Sequence, residues 1–143
     1  MKRILVAVDG SPRAVHVVDA AVRLAELAAA KLVIYRAITV MPDLPRDTLY
    51  APTGDRLEDV LRSKAHEDLD RLASRVPPAL IEQLVTTFAS PWDGICRTAA
   101  ERDVDLIVIG SHGYGGIDRI LGTTAAKVVN HADRNVLVVR TPL

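Results

Sequence analysis

Aromatic residues make up only 3% of this chain, and cysteine occurs once, as Cys96. The first scarcity counts against single-stranded nucleic-acid binding, which relies on aromatic stacking platforms, and against a flavin site walled by rings. A lone cysteine excludes an internal disulfide and a cysteine-rich zinc site, and it suits a reducing compartment. An excess of one charge is missing as well. Eighteen basic and eighteen acidic residues cancel to a formal net charge of +0, which leaves no electrostatic footprint for a duplex or an anionic membrane. Any bound anion must therefore be held locally. No apolar run is long enough to span a bilayer without charge, and Lys2-Arg3 leads straight into a strand-like run with no signal-peptide architecture. The expected localisation is cytoplasmic, with neither membrane nor nucleic acid as a partner.

Hydrophobic residues account for 49% of the 143 residues and charged ones for 25%, the balance of a packed globule able to bury roughly two-thirds of its unfolded surface. One domain over 1–143 is expected. Ile4 to Val8 is a continuous apolar run, the pattern of a strand buried on both faces, and it ends at Asp9-Gly10-Ser11-Pro12. Ser11 is a candidate N-cap with Pro12 at the first helical position. Helical spacing then runs from Ala14 to Ala30 through Val17, Ala21, Leu24 and Ala28, widened by Val15, Val18, Val22 and Ala25. Leu32 to Ala37 reads as a second buried strand. The prolines between Met41 and Gly54 forbid regular structure and make this the longest loop. A helix is expected from Leu57 to Val76, with Leu57, Val60, Leu61, Leu69 and Leu72 on its apolar side, stopped by Pro77-Pro78. A strand near Leu84 to Phe88, a helix from Pro91 to Arg102, a strand at Leu106 to Ile109, a helix from Thr123 to Ala132 and a strand at Val136 to Val139 complete the chain. Strands alternating with helices imply an α/β fold, a parallel sheet covered on both faces through right-handed crossovers.

The informative segment runs from Gly110 to Thr124. It begins where a buried strand ends; Gly110 and Gly113 allow close backbone approach, and Gly122-Thr123 places bare amides and a hydroxyl at a helix N-terminus, which favours anions. Any one of these glycines fits ordinary turn chemistry. The whole set exceeds what a turn requires, so a phosphate cradle is the reading adopted. In an open parallel sheet such sites lie at the carboxyl ends of strands where the winding reverses, which would bring Asp9 and this turn to one crevice. Neither a P-loop motif nor a Gly-x-Gly-x-x-Gly after the first strand is present.

At these residues the chain resembles the ATP-binding branch of the universal stress protein family. The matching stretches are Ile4 to Ser11, Asp105 to Gly113 and Val136 to Arg140, together with Gly110, Gly113, Gly122 and Thr123. One spacing departs from the family pattern, since the segment between Gly113 and Gly122 is one residue shorter than usual; Gly115-Gly116 can absorb the loss, with altered affinity or phosphate-count preference. The resemblance implies a five-stranded parallel sheet in the order 3-2-1-4-5, of the adenine nucleotide alpha hydrolase-like type. It implies an ATP, ADP or AMP ligand, with Mg or Mn as an accompanying metal. Asp9 would contact ribose or metal, the backbone at Ala37 and Ile38 would meet adenine, and Ala7 and Ile109 would line the base pocket. Gly110, Gly113, Gly122, Thr123 and Thr124 would hold ribose and phosphates.

Other residues stay open between two roles. Asp9 is also suited to assist the helix start beside Ser11. His112 in the turn is either a phosphate contact or proton carrier, or a solvated loop residue. Lys127 and Arg119 are the nearest cations in sequence, as phosphate partners or solvated charges. His16, His66 and His131 lack metal-ligand spacing and read as surface residues, Cys96 reads as a small core residue, and Trp92 as an anchor for its helix. Val136 to Val139, apolar although at a sheet edge, would be covered by the same strand of a second copy. The functional expectation is a nucleotide-binding stress regulator acting as a homodimer, in which bound nucleotide changes the dimer surface or the Met41 to Gly54 loop, with at most slow ATPase activity. The alternatives are an ATP-using nucleotidyl- or phosphotransferase of the same class and a non-nucleotide interaction module.

Overall fold

Ile4, Leu5 and Val6 have no exposed surface, because the strand that carries them is sandwiched between two helical layers. The computed structural model describes residues 1–39, 54–112 and 121–140. Elements follow in the order β1 (Arg3–Ala7), α1 (Ala14–Ala28), β2 (Lys31–Ile38), α2 (Leu57–Ala73), a 3-10 turn at Pro78–Leu80, β3 (Ile81–Phe88), α3 (Pro91–Glu101), β4 (Leu106–Gly110), α4 (Thr123–His131) and β5 (Asn135–Val139). The strands form one sheet in the order β3-β2-β1-β4-β5, and every pairing is parallel. The expected fold is the one observed. The expected Met41 to Gly54 loop lies, except for Gly54, outside the described residues.

The side-chain period of two explains why the central strands are apolar throughout. Ile4 and Val6 of β1 join Val17, Val18 and Ala21 of α1, Leu69 of α2 and Val108 of β4 on one face. Leu5 turns the other way, to Val33, Tyr35, Ile95, Ala99, Ile107 and Val128 under α3 and α4. Each such buried aliphatic side chain contributes about 1.5–3 kcal/mol relative to exposure. The helix α2 needs only one narrow contact stripe: Ala65 and Leu69 are buried, while Val60, expected on the apolar side, is 36% exposed.

The start of α1 differs from expectation. Its N-cap is Arg13, with no side-chain cap bond, and the helix is entered through a turn closed by Ala14 N–H donating to the Ser11 carbonyl at 3.2 Å. The Ser11 amide is itself held by Asp9 Oδ1 at 2.9 Å. This tight turn after β1 sets Ser11 ahead of the helix instead of at its cap. The other helix limits fall within three residues of the expected ones, as fraying ends do.

Between β1 and β4 the winding direction reverses, since β2 and β3 lie to one side and β5 to the other. Connections diverge there and leave a crevice at the carboxyl ends of the strands. At the amino ends the sheet is instead closed by polar ties: Asp105 accepts the Lys2 and Arg3 amides at 2.7 and 2.9 Å, and Arg134 donates to the Ala99 and Val104 carbonyls at 2.8 and 3.0 Å.

Candidate functional site

The crevice over β1, β2 and β4 is a cavity of about 610 Å³. Its wall includes Ala7 and Asp9 from the end of β1, Ala37 and Ile38 from β2, Ile109 and Gly110 from β4, then His112, Gly122, Thr123 and Thr124. The sequence-derived site residues thus meet in one hollow although up to 117 positions separate them, from Ala7 to Thr124. Gly113 and Arg119 lie outside the described residues.

The turn after β4 is pinned at both ends. Ser111, 1% exposed, donates its amide to the Val139 carbonyl at 2.9 Å and accepts the Gly122 amide at 2.8 Å. These bonds tie the end of β4 to β5 and to the root of α4. Packing alone restricts two of the glycines here. A Cβ on Gly122 would stand 3.3 Å from the Ser111 carbonyl, and one on Gly110 would stand 3.0 Å from Val17 of α1. At the first turn of α4 the backbone amides have no intrahelical acceptor, and the positive end of the helix dipole favours an anion. Gly122, the N-cap, makes no side-chain cap bond.

His112 is 8% exposed, so the solvated alternative for this residue is overturned: it is buried beside the root of α4, with Nδ1 3.1 Å from Ser111 Oγ. Asp9 supports the turn ahead of α1, where its Oδ1 accepts the Ser11 amide at 2.9 Å, and the residue borders the cavity. The Ile38 carbonyl accepts the Ala89 amide at 3.2 Å, so that oxygen is engaged by the residue that follows β3. Beneath the β2 side lies Tyr35, 1% exposed, with Oη 2.5 Å from Thr87 Oγ1. Burial pushes its phenol pKa above the ordinary value.

Sequence reasoning missed the cations of the wall and one hydroxyl. Lys127, open between phosphate partner and solvated charge, points its Nζ over the Trp92 ring at 5.9 Å and does not border the cavity. Trp92 also meets the His131 ring at 4.7 Å, so it does anchor α3, against α4. Among the described residues the cavity cations are Arg13, Arg36 and Lys64; Arg36 is paired with Asp68 at 2.5 Å. Lys64 could have been read from its place one helical turn after Leu61, but only the packing of α2 on β2 directs that face to the crevice. The hydroxyl is that of Ser11, a residue of the cavity wall whose Oγ is itself buried and has no hydrogen-bond partner among the described residues. Nothing local in the sequence signals it.

The wall combines apolar groups, from Ala7, Ala37, Ile38 and Ile109, with amides, hydroxyls and cations. Such a hollow suits a flat apolar group carrying an anionic tail. Among the described residues no group of three His, Cys, Asp or Glu side chains could hold a metal ion, and no helix is long and apolar enough to cross a membrane.

Comparison with known proteins agrees with this fold. The model of the universal stress protein family matches residues 1–140. Universal stress protein A homolog 1 of Coxiella burnetii is 31% identical over 138 residues, covering 96% of this chain and 95% of the relative. The solved structure of universal stress protein UspA from Lactobacillus plantarum is similar with a TM-score of 0.75 and 28% identity, each chain covered to 97%. A universal stress protein solved in complex with cAMP is similar with a TM-score of 0.65 and 27% identity, covering 97% of this chain and 96% of its own.

Proposed function

The chain belongs to the universal stress protein family, and from that premise we propose that it is an adenine-nucleotide-binding regulator of the stress response, a cytoplasmic homodimer whose ligand is ATP or a shorter adenine nucleotide. The carrying observation is the convergence of Ala7, Asp9, Ala37, Ile38, Ile109, Gly110, His112 and the start of α4 on one cavity at the winding reversal. A relative of the same fold in complex with cAMP supports the choice of adenine nucleotide. Adenine would lie against the apolar groups of the wall and meet backbone near Ala37 and Ile38. Asp9 would take the ribose hydroxyls, and Gly110, Gly113, Gly122, Thr123 and Thr124 would hold ribose and phosphates.

Binding without rapid turnover follows from the same residues. Hydrolysis needs a base placed on an attacking water and charge neutralisation at the transferred phosphoryl group. His112 is buried against Ser111, and one Asp9 oxygen is engaged by the Ser11 amide, so neither is free to serve as a mobile base. Any ATPase activity is slow. The open edge of the sheet at β5, where Leu137 is 41% exposed, supports pairing of Val136, Leu137, Val138 and Val139 with the same strand of a second copy.

Native mass spectrometry of the purified protein, followed by calorimetric titration with ATP, AMP and cAMP, tests the proposal. We expect co-purified or titrated adenine nucleotide, and at least tenfold weaker binding by Gly122→Val, whose added side chain would press on the Ser111 carbonyl. No binding of any of the three nucleotides by the unaltered protein would overturn it.

A further inference from the structure

Among the described residues the cavity wall carries three cations, Arg13, Arg36 and Lys64, against one carboxylate, Asp9, in a chain whose formal net charge is +0. The cations of the α2 side differ in what already holds them. Arg36 is paired with Asp68 at 2.5 Å, and Asp68 takes Arg71 as well at 3.3 Å. One carboxylate is thus shared by two guanidiniums. Lys64 is exposed and has no ion pair among the described residues.

The pairing of Asp68 also fixes where Lys64 faces. Residues four apart on a helix share a face, so Lys64 stands on the side of α2 that turns Asp68 to β2. It lies one helical turn, about 6 Å, nearer the helix start, and helical side chains lean in that direction. A crossover helix in a parallel sheet runs back against the strand before it, so the start of α2 lies toward the carboxyl end of β2. Ile38 is two residues beyond Arg36, about 6.6 Å along the strand. Lys64 is therefore level with Ile38, at the mouth of the crevice. Leu61 and Ala65 of the same helix border the cavity with it, whereas Asp68, one turn deeper, does not.

We propose that Lys64 makes the site select its ligand by charge, favouring AMP and ATP over a cyclic monophosphate or a nucleoside. The inference rests on the nucleotide reading above and adds to it a selecting charge outside the glycine turn. Helix-start amides of α4 can donate to whichever phosphate oxygen sits there. The attraction of an ammonium at the mouth instead grows with every negative charge on the ligand, since Coulomb energy scales with the product of the charges. Adenosine carries none, a cyclic phosphodiester a single one, a phosphomonoester about two near neutral pH, and ATP more. Arg36 adds little to this gradient because Asp68 already neutralises it.

The test titrates adenosine, cAMP, AMP and ATP into the unaltered protein, Lys64→Gln and Lys64→Arg, at low and at high salt. Lys64→Gln should lose affinity in the order of ligand charge, about fivefold or more for ATP and about twofold for AMP, with little change for cAMP and none for adenosine. High salt should narrow the ATP difference, because screening weakens attraction between exposed charges. Lys64→Arg keeps the charge and should bind ATP within about twofold of the unaltered protein. Equal losses for all four ligands would place Lys64 against base or ribose, or in the fold, and overturn the proposal. Undiminished ATP binding by Lys64→Gln overturns it too, as does a loss by Lys64→Arg as large as that by Lys64→Gln. Failure of the unaltered protein to bind any of the four would refute the nucleotide reading itself, a result distinguishable from all of these.

Discussion

Gly94 of α3 lies directly against the hydroxyl of Tyr35 on β2, so close that a Cβ at Gly94 would overlap the phenol oxygen. The contact joins residues 59 positions apart and seats α3 on the sheet beneath the cavity. Tyr35 cannot retreat, since it is 1% exposed and tied to Thr87 at 2.5 Å.

Gly94→Ala should therefore destabilise the protein by about 1–3 kcal/mol, the usual cost of overpacking a core, despite alanine's better helix propensity. Urea denaturation measures the loss. Nucleotide affinity should fall as well, because Tyr35 borders the cavity. A variant as stable as the parent would show that α3 can shift freely, contrary to this packing.

Acid stability should depend on Asp105. Amides of Lys2 first and Arg3 second hold its carboxyl below the ordinary carboxylate pKa. A group whose pKa is depressed in the folded state adds stability above its unfolded pKa and loses that contribution as pH falls through the folded value. Asp105→Asn should accordingly melt lower than the parent near neutral pH, and the two melting curves should draw together below about pH 4, as the carboxyl protonates. A gap that stays constant from neutral to acid pH contradicts the assignment.

Self-association is the third outcome to check. Leu137 is exposed at 41% on β5, an edge strand of the sheet, and lysine on an edge strand opposes strand-to-strand pairing. Leu137→Lys should shift the mass measured by light scattering from dimer to monomer while leaving the fold intact. If the parent is monomeric at the concentrations used, pairing through β5 is ruled out.

The sequence by itself determined the alternation of strands and helices, because runs such as Ile4 to Val8 and Leu106 to Ile109 are apolar at every position and only a sheet covered on both faces accommodates them. It also put Asp9 at the end of β1 and the Gly122-Thr123 pair at the start of α4, where helix starts leave polar groups unsatisfied, and these residues line one cavity. The family resemblance carried the strand order. What tertiary structure decided are relationships between distant segments: the burial of His112 by the root of α4, the turning of Lys127 toward Trp92, the arrival of Lys64 and Arg36 at the crevice, and the overlap that keeps Gly94 small. The place of Ser11 belongs with them: from sequence it reads as a helix cap, but the turn that the Asp9 carboxylate closes ahead of α1 leaves the cap position to Arg13. Periodicity and spacing report how a segment meets its own neighbours along the chain, whereas these contacts depend on how whole elements are seated on the sheet.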